Sequence, residues 1–126
     1  ETLTLKGIEG ALRIDGIMEG LRQTPPRSLG GRIVLRRTDL LRDEQIECDT
    51  GKVSKGPGLP VSNVILLELE GGSRVIARPS GTEPKIKFYF NLCGDEMQEL
   101  ESGLLDLKED FKMYRDRLQD GSAASC

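Results

Sequence analysis

The sequence predicts an α+β fold, a two-layer sandwich in which a mainly antiparallel four-stranded sheet has two helices over one face. Two segments, one near each end of the chain, repeat apolar residues at the spacing of an amphipathic helix. The segments between them alternate apolar and polar residues, and turns too short to hold a helix separate the last three. Strands joined in this way pair antiparallel and bury one face, so the helices are expected on that apolar face.

The first helix is predicted over residues 7–23. Gly10, Gly16 and Gly20 each lower its stability by about 1 kcal/mol relative to alanine, so packing against the sheet has to hold it. Pro25 and Pro26 end it, because proline lacks the amide hydrogen that a continuing helix needs. The apolar residues that share one face of this helix are Ile8, Ala11, Ile14, Ile17, Met18 and Leu21.

A short strand and a long loop are predicted next. Gly30 and Gly31 mark a turn, and residues 32–37 follow as a strand with β-branched residues at its centre. Residues 39–60 are polar and rich in glycine and proline, which predicts a long loop.

We expect the arginines of this region to lie on a solvated edge, neutralised by nearby carboxylates, rather than to form an anion-binding patch. The residues concerned are Arg32, Arg36, Arg37 and Arg42, with Asp39, Asp43 and Glu44 as the carboxylates.

Three strands joined by short turns are predicted over residues 62–70, 73–78 and 85–92. The first is the densest in apolar residues, and Gly71 and Gly72 form the turn that leads to the second. The third alternates strictly, which indicates one buried and one exposed side. Its two sides carry Ile86, Phe88, Phe90 and Leu92, and Lys85, Lys87, Tyr89 and Asn91.

The second helix is predicted over residues 95–118. Acidic residues occupy its first turn and basic residues lie near its end, and both placements suit the helix dipole. Residues 119–126 are mostly small and are expected to form a tail. The apolar stripe of this helix consists of Met97, Leu100, Leu104, Leu107, Phe111, Tyr114 and Leu118.

Size and charge limit the classes of function. The 126 residues are expected to form a single domain, residues 1–126, with a core over about residues 5–118. No apolar run is long enough for a membrane span or the core of a signal peptide. The net charge is −3 and the isoelectric point is near 5.1. These values argue against a membrane partner and a nucleic-acid partner, while a small anion site remains compatible with them.

The absence of histidine excludes several kinds of catalytic site and metal site. The sequence contains no histidine, so the chain alone builds no Ser–His–Asp triad, no Cys–His pair and no histidine-ligated metal site. Cys48, Cys93 and Cys126 are widely spaced and odd in number, which fits neither a disulfide framework nor a zinc site. Cysteines used in this way are typical of a reducing compartment, so we expect a cytoplasmic protein.

The segment around the turn between the last two predicted strands, RPSGTEPKIK, contains the residues best suited to bind a ligand. Arg78 has a planar fork that matches two phosphate oxygens, and Ser80 and Thr82 supply hydroxyl donors. Gly81 lets the backbone approach an anion closely, and Lys87 adds a second cation on the polar sheet face. These residue types favour a binding site for a phosphate monoester. A plain strand connection, made of common turn-forming residues, stays equally open on these grounds.

The same segment resembles the phosphate-binding loop of the α-D-phosphohexomutases, the phosphoglucomutase/phosphomannomutase family. That loop belongs to the C-terminal, fourth domain of these enzymes. The resemblance runs in the same order from about residue 5 to residue 118. It includes LKGIEG at residues 5–10, Pro25-Pro26 and PVSNVI at residues 60–65.

The resemblance implies a role for each residue of the motif. Arg78, Ser80, Gly81 and Thr82 occupy the positions with which the family grips the phosphate that the sugar already carries. Many members have an arginine in the following strand where this sequence has Lys87, which keeps the charge and loses the fork. No catalytic residue and no metal ligand is implied within this sequence.

The resemblance also implies what the rest of such an enzyme does. The family moves a phosphoryl group between the 1 and 6 oxygens of a hexose, through a phosphoserine and a bisphosphorylated sugar, with Mg²⁺ held by aspartates of another domain. This sequence has neither the phosphoserine context nor an Asp-x-Asp-x-Asp motif. Because it begins with Glu1, we expect a piece of a longer polypeptide that has no cofactor of its own and no mutase activity alone. Its expected partners are a phosphosugar and the upstream domains.

Two other functions stay open at this point. One is a non-catalytic module that binds small anions or nucleotides. The other is an interaction domain in which the loop is only a turn. Phosphate binding that depends on Arg78 fits the enzyme domain and the anion module and excludes the interaction domain.

Overall fold

The computed structural model describes residues 2–4, 7–80, 85–92 and 97–119. Eight strands and two helices are assigned among these residues, together with a short 3-10 turn at Glu70–Gly72. In chain order the elements are β1 (Thr2–Thr4), α1 (Gly7–Gln23), β2 (Ser28–Leu29), β3 (Arg32–Asp39), β4 (Glu44–Glu47), β5 (Lys52–Lys55), β6 (Ile65–Leu69), β7 (Arg74–Pro79), β8 (Lys85–Asn91) and α2 (Met97–Gln119).

The α+β class and the two helices are confirmed. α1 has the predicted bounds, and its apolar stripe is buried in the part whose side chains are described, from Ile14 to Leu21. α2 ends one residue beyond the prediction, while its predicted start at Asp95 lies outside the described residues. Neither of the two helices is both long enough and apolar enough to cross a membrane, among the residues described.

The sheet is antiparallel throughout its described pairs and larger than the predicted four strands. Its strand order is β1-β8-β7-β6-β3-β4-β5, and the short β2 pairs with β3. The four predicted strands are β3, β6, β7 and β8, which form the centre. Four further strands, β1, β2, β4 and β5, extend it, because neighbouring backbone donors and acceptors find partners there.

The predicted long loop over residues 39–60 is wrong in part, because it contains the β4–β5 hairpin. In this hairpin Glu44 lies opposite Lys55, and Glu47 lies opposite Lys52. Opposite charges facing each other across a strand pair stabilise it modestly. Each of the two strands has a single large apolar residue, Ile46 or Val53, so the sequence carried too little alternation to reveal them.

The core lies between the helices and one face of the sheet. α1 contacts β6 and β8, α2 contacts β8 and β2, and the helices contact each other. Phe88 of β8 meets Phe111 of α2 edge to face, with ring centroids 4.8 Å apart. The alternation predicted for β8 is confirmed, since Ile86 and Phe88 are buried while Lys87 and Tyr89 are exposed.

A bulge in β3 changes which residues of this strand reach the core. The register with β6 shifts between Val34, which pairs with Leu69, and Arg36, which pairs with Glu68. One extra residue on one strand reverses the alternation beyond it. Arg37 and Asp39 therefore lie on the core face, and the side chain of Arg37 is only 1% exposed.

Arg37 departs from the solvated edge that the sequence predicted, because its side chain is buried, whereas the side chains of Arg36 and Arg42 stay partly exposed. Arg36 binds Glu47 at 2.8 Å and Glu68 at 3.4 Å, while the buried Arg37 binds Glu44 at 3.2 Å. The hydrogen bond to Glu47, followed by the charges of Glu47 and Glu68, raises the pKa of Arg36 above its ordinary value. The predicted neutralisation by carboxylates is thus correct, but Glu47 of β4 and Glu68 of β6 were not among the predicted partners.

Candidate phosphate-binding site

The β7–β8 hairpin positions the predicted phosphate loop. Arg78 lies directly opposite Lys87 in the antiparallel pair, and Pro79 lies opposite Ile86. The backbone N–H of Ser80 then donates a hydrogen bond to the carbonyl oxygen of Lys85 at 2.9 Å. This bond extends the hydrogen-bond ladder one residue beyond Pro79.

The exposed face of this hairpin carries the two cations of the motif. Ala77 of β7 and Phe88 of β8 are buried in the core, so the residues that follow and precede them, Arg78 and Lys87, lie on the other face. Both side chains are exposed. Like charges opposite each other in a strand pair are unfavourable. An anionic ligand bound between the two cations would remove this repulsion.

Neither cation is neutralised within the described part of the protein. No carboxylate there forms an ion pair with Arg78 or Lys87, in contrast to Arg36 on the same sheet. Lys85 belongs to the same alternating set as Lys87 and is half-buried, which places a third basic residue at the loop end of β8. Arg78 at the end of β7 and Lys85 and Lys87 at the start of β8 thus place three basic residues beside one loop.

The structure covers three of the five predicted site residues. It brings Arg78 and Lys87 together on one face and places the exposed Ser80 beside them, one residue beyond β7. Gly81 and Thr82 lie outside the described residues. The backbone N–H of Ser80 is already bonded within the hairpin, so this amide is not a donor for a ligand.

The resemblance implies Mg²⁺ for another domain of the parent enzyme, and the described residues provide no site for it. Among them, no group of three cysteine, aspartate or glutamate side chains is arranged to hold a metal ion.

The phosphate motif lies inside a segment that matches a known family. Residues 49–101 match the family described as "Phosphoglucomutase/phosphomannomutase, C-terminal domain". All five predicted phosphate contacts, from Arg78 to Lys87, fall within the matched segment.

Individual phosphohexomutases extend this match. The chain is 41% identical over 93 residues to a phosphoglucomutase of Staphylococcus aureus strain MRSA252, and the match covers 73% of this chain and 16% of that protein. The chain belongs to the phosphoglucomutase/phosphomannomutase family. It is 32% identical over 96 residues to a probable phosphomannomutase of Haemophilus influenzae, covering 76% of this chain and 17% of that protein. The match thus spans about a sixth of the length of these relatives. No solved structure matches the chain.

Proposed function

We propose that this phosphohexomutase domain binds the phosphate group of a phosphosugar at the exposed face of the β7–β8 hairpin, as one part of a longer mutase polypeptide. The observation that carries the proposal is the pair formed by Arg78 and Lys87, directly opposite each other and without an ion pair among the described residues. A dianionic phosphate monoester between them replaces a repulsion by two charge-assisted contacts.

Each residue has a distinct part in this binding. The guanidinium of Arg78 donates two parallel N–H groups to two phosphate oxygens and so fixes the orientation of the phosphate. The ammonium of Lys87 acts as a point charge with no preferred plane. Ser80 contributes a hydroxyl donor, and Gly81 and Thr82 complete the loop as the resemblance implies. A hydrogen bond to a charged group contributes about 1.5–3 kcal/mol, so Arg78 supplies much of the affinity.

The role of such a domain in catalysis is to hold the end of the substrate that does not react. Binding energy from a remote phosphate orients the reacting end and lowers the entropic part of the barrier. We propose that the parent enzyme interconverts hexose 1-phosphates and hexose 6-phosphates and that this chain alone has no mutase activity. An assay of the purified chain for conversion of glucose 1-phosphate to glucose 6-phosphate tests the second statement, and turnover would contradict it.

The binding experiment is an NMR titration of the ¹⁵N-labelled chain with inorganic phosphate and with glucose 1-phosphate. We expect shifts confined to residues around β7, β8 and the intervening loop. Arg78→Gln should weaken phosphate binding about tenfold, which corresponds to the loss of one charge-assisted contact. Arg13→Gln is the matched control, because Arg13 is an exposed arginine on α1 and its removal changes the net charge equally.

The outcomes separate the three functions that the sequence left open. Equal weakening by both variants would mean that phosphate responds to net charge only, which contradicts the proposal. An absence of binding would leave the interaction domain as the better account. Binding of inorganic phosphate and of nucleoside monophosphates, without any of glucose 1-phosphate, would favour the anion or nucleotide module.

A further inference from the structure

A cavity of about 390 Å³ lies between the end of α1 and the β4–β5 hairpin. One wall is formed by the last residue of α1 and the segment that follows it, and the other by β4 and the turn that leads to β5. The volume falls within the range of pockets that bind small molecules, about 300–1,000 Å³. Pro25 and Arg27 belong to the first wall, and Ile46, Cys48 and Asp49 belong to the second.

This cavity is separate from the proposed phosphate site. Ile46 pairs with Arg37, whose side chain lies on the core face of the sheet, so Ile46 faces the helix side. Arg78 and Lys87 lie on the opposite face. The strands β6 and β3 separate β7 from β4, and neighbouring strands are about 4.8 Å apart, so β7 and β4 are about 14 Å apart. A ligand in the cavity and one at the β7–β8 hairpin can therefore be tested independently.

The inner part of the cavity is apolar. Pro25 is buried, and Ile46 and Cys48 are half-buried. Cys48 also packs against the hydrophobic core. Apolar surface of this kind favours a ligand that covers it with an apolar group and so removes it from water. Small-molecule sites combine such a lining with a few polar groups that fix the orientation of the ligand.

Two residues of opposite charge line the cavity without pairing with each other. Arg27 belongs to one wall and Asp49 to the other, and both are exposed. Neither forms an ion pair within the described part of the chain. On the same hairpin, by contrast, Glu44 and Glu47 are each paired with an arginine. A cation on one wall and an anion on the other are complementary to a ligand that carries both charges.

We propose that this cavity binds a free α-amino acid with an aliphatic side chain. The α-carboxylate pairs with the guanidinium of Arg27, and the α-ammonium pairs with the carboxylate of Asp49. The aliphatic side chain lies against Pro25 and Ile46. A guanidinium and a carboxylate form two parallel hydrogen bonds, which fixes the carboxylate end of the ligand. A zwitterion satisfies both charges at once, whereas a simple amine or carboxylic acid satisfies only one.

The test compares three ligands that share the same isobutyl group. L-Leucine carries both charges, 4-methylpentanoate lacks the ammonium group, and 3-methylbutylamine lacks the carboxylate. Each is titrated into the full ¹⁵N-labelled chain, and chemical-shift changes are expected around residues 23–27 and 46–51. Loss of one charge-assisted contact weakens binding about tenfold, so leucine should bind about tenfold more tightly than either analogue.

Variants assign the two contacts to the named residues. Arg27→Gln should weaken leucine about tenfold without weakening 3-methylbutylamine, because that ligand has no carboxylate. Asp49→Asn should weaken leucine and 3-methylbutylamine without weakening 4-methylpentanoate. Arg13→Gln and Asp15→Asn are the matched controls, because both residues are exposed on α1 and the changes in net charge are the same. Neither control should change the affinity for leucine.

Three results would overturn the proposal. The first is leucine binding no more tightly than its two analogues. The second is equal weakening of leucine by Arg27→Gln and Arg13→Gln, which would mean that only net charge matters. The third is an absence of leucine-induced shifts around the cavity. None of the three ligands carries a phosphate, so these results do not depend on the proposed phosphate site.

Discussion

Arg22 in the last turn of α1 donates a hydrogen bond from Nε to Oδ2 of Asp39 at the end of β3, at 3.1 Å. Both side chains are buried, with 5% and 0% of their surface exposed. The other oxygen of Asp39 accepts the backbone N–H of Leu41, and Arg22 also bonds Glu19 and Asn63. This ion pair ties the end of the helix to the sheet and to the turn that follows β3.

Replacing Asp39 by asparagine should destabilise the protein strongly. The change removes the buried counter-charge of Arg22 and leaves only the half-exposed carboxylate of Glu19 beside it, so we expect a loss of about 3 kcal/mol, at the low end of the cost of breaking a buried pair. Urea unfolding followed by circular dichroism measures the free energy of unfolding. Glu47→Gln is the control, because it breaks the half-exposed pair with Arg36 and should cost less than about 1 kcal/mol. Equal losses in the two variants would contradict the distinction between buried and exposed pairs.

Gly30 and Gly31 form a matched pair for measuring how closely the turn before β3 approaches α2. Both glycines have a positive φ, 58° and 75°. A Cβ on Gly30 would lie 3.0 Å from the backbone of Leu107, whereas a Cβ on Gly31 would meet nothing within 4 Å. Gly31→Ala should therefore cost about 1 kcal/mol, the backbone penalty alone.

Gly30→Ala should cost about 1–3 kcal/mol more than Gly31→Ala, because the methyl group also pushes against the backbone of α2. Unfolding free energies of the two variants give this difference directly. Equal stabilities would show that α2 gives way to the added methyl group without cost.

These particular residues show which parts of the fold the sequence made predictable. The helices and β8 follow from periodicity, since Phe111 and Phe88 sit at regular steps along amphipathic segments. The β3 bulge has no such signal, because the extra residue that places Arg37 in the core is defined by pairing with β6. The β4–β5 hairpin was missed for the related reason that pairing and charge, rather than apolar alternation, stabilise it.

The candidate site was likewise predictable from the sequence only in part. Arg78 and Lys87 could be selected from the sequence by their chemistry and by the resemblance to the family. Their direct opposition needs the hairpin register, which the bond from Ser80 to Lys85 completes. Strict alternation along β8 predicted that Lys87 and Tyr89 share one side of the strand. Which residue of β7 lies opposite each of them was not predicted, because it follows only from the pairing of the two strands.

Tyr114 should stabilise the junction of the two helices through its hydroxyl as well as its ring. The hydroxyl donates to the carbonyl oxygen of Thr24, just beyond the end of α1, at 2.7 Å, and the residue is 2% exposed. Tyr114→Phe keeps the ring and leaves this carbonyl without its partner, so the protein should lose about 1 kcal/mol. A thermal melt shows the loss, and unchanged stability would indicate that water replaces the hydroxyl.

Lys87→Arg should strengthen phosphate binding. An arginine opposite Arg78 presents a second planar fork, which donates two parallel hydrogen bonds where the ammonium of lysine acts as a point charge. One additional charge-assisted contact of about 1.5 kcal/mol corresponds to roughly tenfold tighter binding of inorganic phosphate. Lys52→Arg on the edge strand β5 is the matched control and should leave the affinity unchanged, because Lys52 lies at the opposite end of the sheet. Calorimetric titration with phosphate measures both variants. If Lys87→Arg binds phosphate no better than the natural chain does, then Lys87 acts on the ligand only through long-range charge, and the direct contact assigned to it here is wrong.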